Sequence, residues 1–196
     1  MSNPLLESSE LPAFSRIKAE HVQPAISLLI YESRAGVEAL LNAGGPYSWD
    51  NLVEPLERLD DRINKAWSPV GHLNAVLNSD ELREAYNACL PILSEYATEM
   101  GQNDRLYRAY REVAESKAFG HLDVAQRKII ENALRDFRLS GVDLPDADKQ
   151  RYKEIAQECS RLGSQFQDNL LYATQAWSRH IEDVSLLVGL PESALA

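Results

Sequence analysis

Apolar residues recur at steps of three and four along almost the whole chain, which is the period of an α-helix. No strand-like alternation of apolar and polar residues persists for more than a few positions. A helix with an apolar stripe must bury that stripe against another element, so a chain of this kind folds as packed helices. The pattern predicts an all-α, antiparallel multi-helix bundle that forms a single domain over residues 1–196.

The same period predicts where individual helices lie. The predicted helices cover approximately residues 20–41, 52–66, 70–77, 80–100, 102–116, 123–141 and 144–177. Pro69 is expected to end the second of them and Pro91 to bend or interrupt the fourth, because proline lacks the N–H that a helix interior needs. Asn78 and Ser79 are candidate N-caps, and Gly141 is a candidate helix terminator.

The long helix over 144–177 carries a heptad-like apolar seam, which calls for a partner helix. The seam consists of Tyr152, Ile155, Cys159, Leu162, Phe166 and Leu170. Beyond it, a short extended segment is predicted near 177–182. The final "PESALA" resembles the first turn of a further helix without a stop signal. The chain is therefore expected to be truncated near residue 196.

Charge and cysteine content exclude some classes of function. A net charge of −10 repels phosphate backbones, so nucleic-acid binding is not expected. No apolar run is long enough to cross a membrane, and "MSNPLLESSELPAF" lacks the charge pattern of a signal peptide. Cys89 and Cys159 form no CxxC motif and are expected to be buried thiols. These features predict a cytoplasmic protein.

The four histidines, His21, His72, His121 and His180, are scattered, and none forms the HExxH pair of a zinc hydrolase. His121 lies two positions before Asp123, but a surface loop with Asp123 capping the next helix is favoured over a metal site. His21 is expected to complete a helix N-terminus. We therefore predict no metal ligand, no cofactor-binding residue and no catalytic residue in this chain.

Two interpretations compete for the stretch around His72. In the first, His72 is a general base oriented by Asp80 or Glu81. In the second, which is favoured, His72 and Asn74 satisfy backbone groups at a junction between two helices. The neighbouring carboxylates point about 100° apart on a helix, which favours a solvated face over a shared site. Such pairs are Asp60 with Asp61, Asp80 with Glu81, and Glu7 with Glu10.

Aromatic residues give a second set of binding candidates. Trp49, Trp67 and Trp177 could line a groove, although core positions are favoured at helical spacing. In "LYRAYRE", residues 106–112, aromatic and basic side chains alternate. An amphipathic helix whose arginines, Arg108 and Arg111, pair with Glu112 or Glu115 is favoured over a peptide or nucleotide contact.

Several stretches resemble the N-terminal region of the zinc oligopeptidases of the thimet oligopeptidase and neurolysin family. They are "MSNPLL", "HVQPAI", "PYSWDNL", "SPVGHLNAVLNSDELREAY", "LPILSEY", "NALRDFRLSGVDLP" and "LPESALA". The resemblance implies the helical lobe of a larger metallopeptidase, forming one wall of a channel that admits short peptides. Its partners would be the downstream catalytic region of the same chain and short peptide substrates.

In this family the zinc-binding HExxH helix lies far downstream, and no position of the present sequence matches it. The resemblance therefore implies that this chain alone is inactive, and that zinc belongs to the rest of the enzyme. Apolar helix faces normally covered by the missing lobe would leave the piece prone to self-association. The competing hypothesis is a stand-alone acidic helical module that binds other proteins.

Overall fold

The computed structural model describes residues 3–7 and 11–194, which contain six α-helices and no β-strand. The predicted all-α bundle is confirmed. The helices are α1 (Ala19–Ala43), α2 (Glu54–Val76), α3 (Asp80–Gly101), α4 (Asp104–Glu115), α5 (Val124–Leu139) and α6 (Asp146–Ala176).

Short helical turns connect the main helices. A π-helical turn, Trp49–Val53, leads directly into α2, and the 3-10 helix Lys117–His121 precedes α5. Residues 177–183 are neither helix nor strand. A helical turn was predicted for the final "PESALA". Within it, Glu192–Ala194 form a 3-10 helix, and residues 195 and 196 lie outside the described residues.

Residue contacts divide the chain into two compact units, Met1–Arg161 and Leu162–Ala196. Helix α6 begins in the first unit and ends in the second. The prediction of a single domain over 1–196 stays a prediction.

The first unit contains two apolar clusters, and α1 contributes to both of them because its apolar stripe runs along most of its length. The first cluster joins α1, α2 and α3 through residues that include Val22, Ile26, Ile30, Ile63, Val70 and Cys89. The second joins the end of α1 to α4 and α5 through residues that include Val37, Leu52, Tyr110, Val113, Ile130 and Phe137. These clusters supply the apolar burial that stabilises the unit.

The predicted helix end at Pro69 is wrong, and the helix at Pro91 is not interrupted; a bend at Pro91 stays a prediction. Helix α2 continues through Pro69, and α3 continues through Pro91. Pro69 removes one backbone hydrogen bond, but it is buried together with Ala66, Val70 and Leu73 on one face of α2. Burial of several apolar side chains outweighs a local penalty of about 3 kcal/mol for proline.

The local signals for helix ends are confirmed at Ser79, Asp123 and Gly141, whereas the other candidate N-cap, Asn78, does not cap α3. The Ser79 hydroxyl accepts a hydrogen bond from the Leu82 N–H at 3.2 Å and so caps α3. The Asp123 carboxylate accepts one from the Gln126 N–H at 2.8 Å and caps α5. Gly141 follows α5 with φ of 82°, a left-handed conformation that glycine adopts without a side-chain clash.

The apolar seam of α6 has no buried residue, so the expected partner helix does not cover it within the described part of the chain. In the first unit Ile155 is 48% exposed, and in the second unit Phe166 is 69% exposed. Cys159 is also exposed, whereas Cys89 is buried and both are free thiols. The prediction of two buried cysteines is therefore wrong for Cys159.

No helix within the described residues is both long and apolar enough to span a membrane.

Candidate functional site

A groove with a cavity volume of about 490 Å³ opens on the first unit, where side chains of α1 to α5 converge. This volume falls within the range of about 300–1,000 Å³ that is typical of small-ligand sites. Its floor consists of buried side chains: Leu56, Ile63, Tyr96, Leu106, Tyr110 and Phe137. Its rim is polar and solvent-exposed: Glu57, Asp60, Asn64 and Asp136.

Aromatic packing and one buried hydrogen bond fix the positions of the side chains in the floor of the groove. The rings of Tyr110 and Phe137 meet edge to face with centroids 5.5 Å apart. The hydroxyl oxygen of Tyr96 lies 2.6 Å from the Ser33 hydroxyl in a buried hydrogen bond. Burial is also the main reason that the pKa values of both tyrosines are raised above the ordinary value. Both phenols therefore stay neutral at physiological pH, and the floor is apolar and uncharged.

The rim carries negative charge on α2. Glu57 and Asp60 are three positions apart, so they lie on the same side of the helix. Partial burial at the edge of the groove raises the pKa of Asp60 from 3.8 to about 6, and the nearby Glu57 charge acts in the same direction. No lysine, arginine or histidine of the described residues lines the groove. Asp136 differs from them, because it pairs with Arg135 at 2.7 Å.

The raised pKa of Asp60 predicts a pH-dependent gain in stability on Asp60→Asn. Ionised Asp60 is disfavoured in the folded state, so its contribution to stability falls as pH rises from about 4 to about 6. Asp60 retains exposed surface, which discounts the full effect to about 1 kcal/mol. Urea unfolding should show this gain for the variant at pH 7.5 and no gain at pH 3.5.

Asp61→Asn is the matched control for this measurement. Asp61 is adjacent in sequence but pairs with Lys65 at 2.6 Å on the exposed side of α2. We expect Asp61→Asn to leave the free energy of unfolding within about 0.5 kcal/mol of the wild type at pH 7.5. Equal stabilisation by both substitutions at this pH would contradict a specific role for the groove environment.

The solvated face favoured for the carboxylate pairs is confirmed for Asp60 and Asp61, which are both solvent-exposed, but Asp60 also lines the edge of the groove. The two carboxylates of α2 at the edge of the groove are Glu57 and Asp60, which are one helical turn apart and not adjacent in sequence. The available signal was this spacing together with the apolar residues Leu56 and Ile63 on the same helix. In the pair Glu7 and Glu10, Glu7 binds Arg16 at 2.8 Å, whereas Glu10 lies outside the described residues.

The structure does not bring His72 and the carboxylates into a catalytic arrangement. His72 is exposed within α2 and contacts the Phe14 ring, with centroids 5.5 Å apart. Asp80 instead forms an ion pair with Arg83. The pKa of Glu81 is lowered by hydrogen bonds from its own backbone N–H and from the Ser79 hydroxyl, as suits a residue at a helix N-terminus.

The favoured junction interpretation is only partly correct, because His72 and Asn74 lie within α2 and the junction with α3 is formed by residues 77–79. The end of α2 is completed by the Leu77 N–H, which donates to the Leu73 carbonyl at 2.8 Å. The Asn78 amide donates to the Asn74 carbonyl at 2.9 Å, and its oxygen accepts from the Arg83 guanidinium. Arg83, buried at the start of α3, therefore fixes this junction rather than His72.

The other histidines lie apart from the groove lining. The ring nitrogen Nδ1 of His21 accepts a hydrogen bond from the Lys18 N–H at 3.1 Å, which confirms its role at the start of α1. His121 ends a 3-10 helix just before the Asp123 cap, and His180 is exposed in residues 177–183. Across 3–7 and 11–194, no three histidine, cysteine or acidic side chains are grouped as a metal site.

Helix α4 is amphipathic, as favoured from the sequence, with Tyr107 and Tyr110 buried. Arg111 pairs with Glu115 at 2.8 Å, as predicted. Arg108 instead pairs with Asp104 at 2.7 Å, one turn towards the N-terminus. The prediction for Arg108 is wrong because Glu112 is engaged elsewhere, accepting a hydrogen bond from the Tyr47 N–H at 2.9 Å.

The tryptophans are divided between core and surface. Trp49 packs partly buried against the second apolar cluster. Trp67 lines the groove and stacks on Tyr86 with centroids 4.7 Å apart. Trp177, in the second unit, is 73% exposed, so the core position favoured for it is wrong.

Comparison with known proteins gives matches over the whole chain. Oligopeptidase A of Salmonella typhimurium is 51% identical over 196 residues, covering 100% of this chain and 29% of that protein. Oligopeptidase A of Escherichia coli is 50% identical with the same coverage. Probable cytosolic oligopeptidase A of Arabidopsis thaliana is 36% identical over 194 residues, covering 99% of this chain and 28% of that protein. The chain thus spans less than a third of these relatives.

A family sequence model described as the N-terminal domain of neurolysin/thimet oligopeptidase matches residues 26–149. This range runs from α1 to the start of α6 and includes every residue that lines the groove. The chain therefore belongs to the neurolysin/thimet oligopeptidase family, of which it carries the N-terminal domain.

Proposed function

We propose that this chain is the N-terminal helical region of an oligopeptidase A-like zinc metalloendopeptidase that hydrolyses short peptides. The observation that carries the proposal is the match to Oligopeptidase A of Escherichia coli, 50% identical over the whole of this chain. In such an enzyme this region forms one wall of the substrate channel. The chemistry belongs to the downstream region, and the peptide is held and oriented between the two.

The donor residues described in this chain do not fit a zinc ion. His21 is used at the start of α1, and His72 contacts an aromatic ring. His121 and His180 lie in separate segments, so the described histidines offer no pair on one helix face. We therefore assign zinc binding and catalysis to the downstream region and no catalytic residue to this chain.

The exposed apolar side chains of α6 favour a contact with another part of a longer chain. Apolar side chains at helical spacing on this face lose their contact with water only when another element covers them. Ile155 and Phe166 are among these exposed side chains. We propose that the downstream region supplies that cover, and that self-association occurs when the region is missing.

The same proposal includes a cytoplasmic location. Both cysteines are free, as in proteins kept under reducing conditions. One plant relative is named as a probable cytosolic oligopeptidase A.

Metal analysis of the purified chain tests the proposal. We expect less than about 0.1 zinc per chain, because a structural or catalytic zinc site takes at least three protein ligands. A longer product of the same gene that includes the downstream region should hold about one zinc and cleave short peptides. Stoichiometric zinc and peptide cleavage in the 196-residue chain would contradict the assignment.

Two other hypotheses make different predictions. A stand-alone interaction module requires a gene that encodes no HExxH segment after this region, whereas the proposed function requires one. Catalysis by His72 requires metal-free peptide hydrolysis that His72→Ala abolishes. The exposed position of His72 and the Asp80–Arg83 ion pair do not favour it.

A further inference from the structure

The groove at Glu57 and Asp60 combines two properties that rarely suit the same ligand. Its floor is apolar and aromatic, with Tyr96, Tyr110 and Phe137 buried. Its rim carries the two carboxylates on one side of α2, and neither has a hydrogen-bonding or ion-pair partner among the described residues. A ligand that fills the groove removes water from both surfaces at once.

The chemistry of the rim decides which ligand fits. An anion would be repelled by the two carboxylates and by the net charge of −10. A neutral apolar ligand would take water from the carboxylates and give them no counter-charge, which is unfavourable. A bare divalent cation has no third donor grouped with them in the described residues.

A lysine or arginine side chain satisfies both surfaces. Such side chains bury an aliphatic stem against apolar groups while the charged end stays at a polar edge. The Tyr96 ring of the floor already contacts the Arg34 guanidinium, 5.9 Å from the ring centroid, so this part of the molecule accepts a cation beside an aromatic side chain. Charge complementarity therefore selects a basic side chain.

We propose that this groove binds a lysine or arginine side chain of a short peptide, with the stem on the floor and the cation between Glu57 and Asp60. The site lies wholly within the first unit, so the proposal does not depend on zinc or on hydrolysis. The proposal rests on the proposed role of this region as a channel wall and adds to that role a preference for peptides with a basic side chain.

Calorimetric titration of the 196-residue chain tests this with two blocked pentapeptides, acetyl-Ala-Leu-Arg-Leu-Ala-amide and the same peptide with glutamine in place of arginine. We expect the arginine peptide to bind at least about tenfold more tightly, because its guanidinium forms charge-assisted hydrogen bonds that the neutral glutamine amide cannot form. The preference should shrink as salt is raised, because the carboxylates lie at an exposed rim. Equal affinity for the two peptides in low salt would overturn the proposal.

Variants locate the binding. E57Q/D60N should reduce the preference for arginine to about twofold or less, whereas Asp61→Asn should leave it unchanged because Asp61 pairs with Lys65 away from the groove. Circular dichroism verifies that each variant is folded, and if one is not, the comparison of the two peptides on the wild-type chain still tests the proposal. An unchanged preference in E57Q/D60N would overturn the proposal.

Two other occupants of the groove give distinct results. If a second copy of the chain fills it, sedimentation will show a dimer that E57Q/D60N alters, and neither peptide will bind. If the rest of the longer protein fills it, the arginine preference will be present in the 196-residue chain and absent in the longer protein. Either result would overturn the groove as a peptide site. Failure of zinc binding in the longer protein would instead overturn only the proposed function.

Discussion

We expect a chimera of Escherichia coli Oligopeptidase A, with this chain in place of its matching N-terminal region, to hydrolyse peptides within about tenfold of the parent rate. Deletion of that region should instead reduce the rate of hydrolysis by at least about 10²-fold. The sequences are 50% identical over the 196 residues to be exchanged. A channel wall orients the peptide, and small errors in position are costly to the rate even when the reacting groups are intact. Initial rates with a fluorogenic short peptide measure both effects.

Zinc content is the control for the chimera. The chimera and the deletion protein should both retain about one zinc, because we assign the ligands to the downstream region. At equal zinc content, a change in the rate of hydrolysis would be due to the N-terminal region and not to loss of the metal. If the deletion protein holds zinc and cleaves the peptide as fast as the parent, this region is not a functional wall. If a folded, zinc-loaded chimera is inactive, the proposed equivalence of the two regions is wrong.

Replacing Ile26 by alanine is expected to lower the free energy of unfolding by about 2–5 kcal/mol. Ile26 is fully buried in the first apolar cluster, where α1 packs between α2 and α3. The substitution removes apolar contacts and leaves a cavity that the surrounding helices fill only in part. Chemical denaturation followed by circular dichroism measures the change.

Leu28→Ala is the matched control on the same helix. Leu28 is 42% exposed, so its truncation removes less buried surface than truncation of Ile26, which is fully buried. We expect the loss to be less than about half of that for Ile26→Ala. A similar loss for both variants would show that helix propensity, and not the cluster, limits the stability of this part of the chain.

The sequence predicted the helices well because their signals are local. Ser79 and Asp123 cap helices through hydrogen bonds to N–H groups three residues further along. Gly141 supplies the left-handed conformation that follows a helix. Each of these interactions lies within one helical turn, so residue type and spacing were enough to locate it.

The candidate groove was not predicted, because it depends on which helix faces meet. Asp60 and Asp61 are equivalent in sequence terms, two acidic neighbours on a helix. Only the tertiary structure places Asp60 on the same groove as Tyr96, Tyr110 and Phe137, and its partial burial there raises its pKa to about 6. Asp61 points away to Lys65.

By itself, the sequence determined the helical class of the protein, the main helix ends and its family, because these follow from periodicity, caps and the order of similar segments. The tertiary structure alone decided that α2 passes through Pro69, that α6 keeps an open apolar face, and that a groove forms at Asp60. Burial depends on contacts between residues distant in sequence, and these contacts override or redirect what each helix prefers on its own.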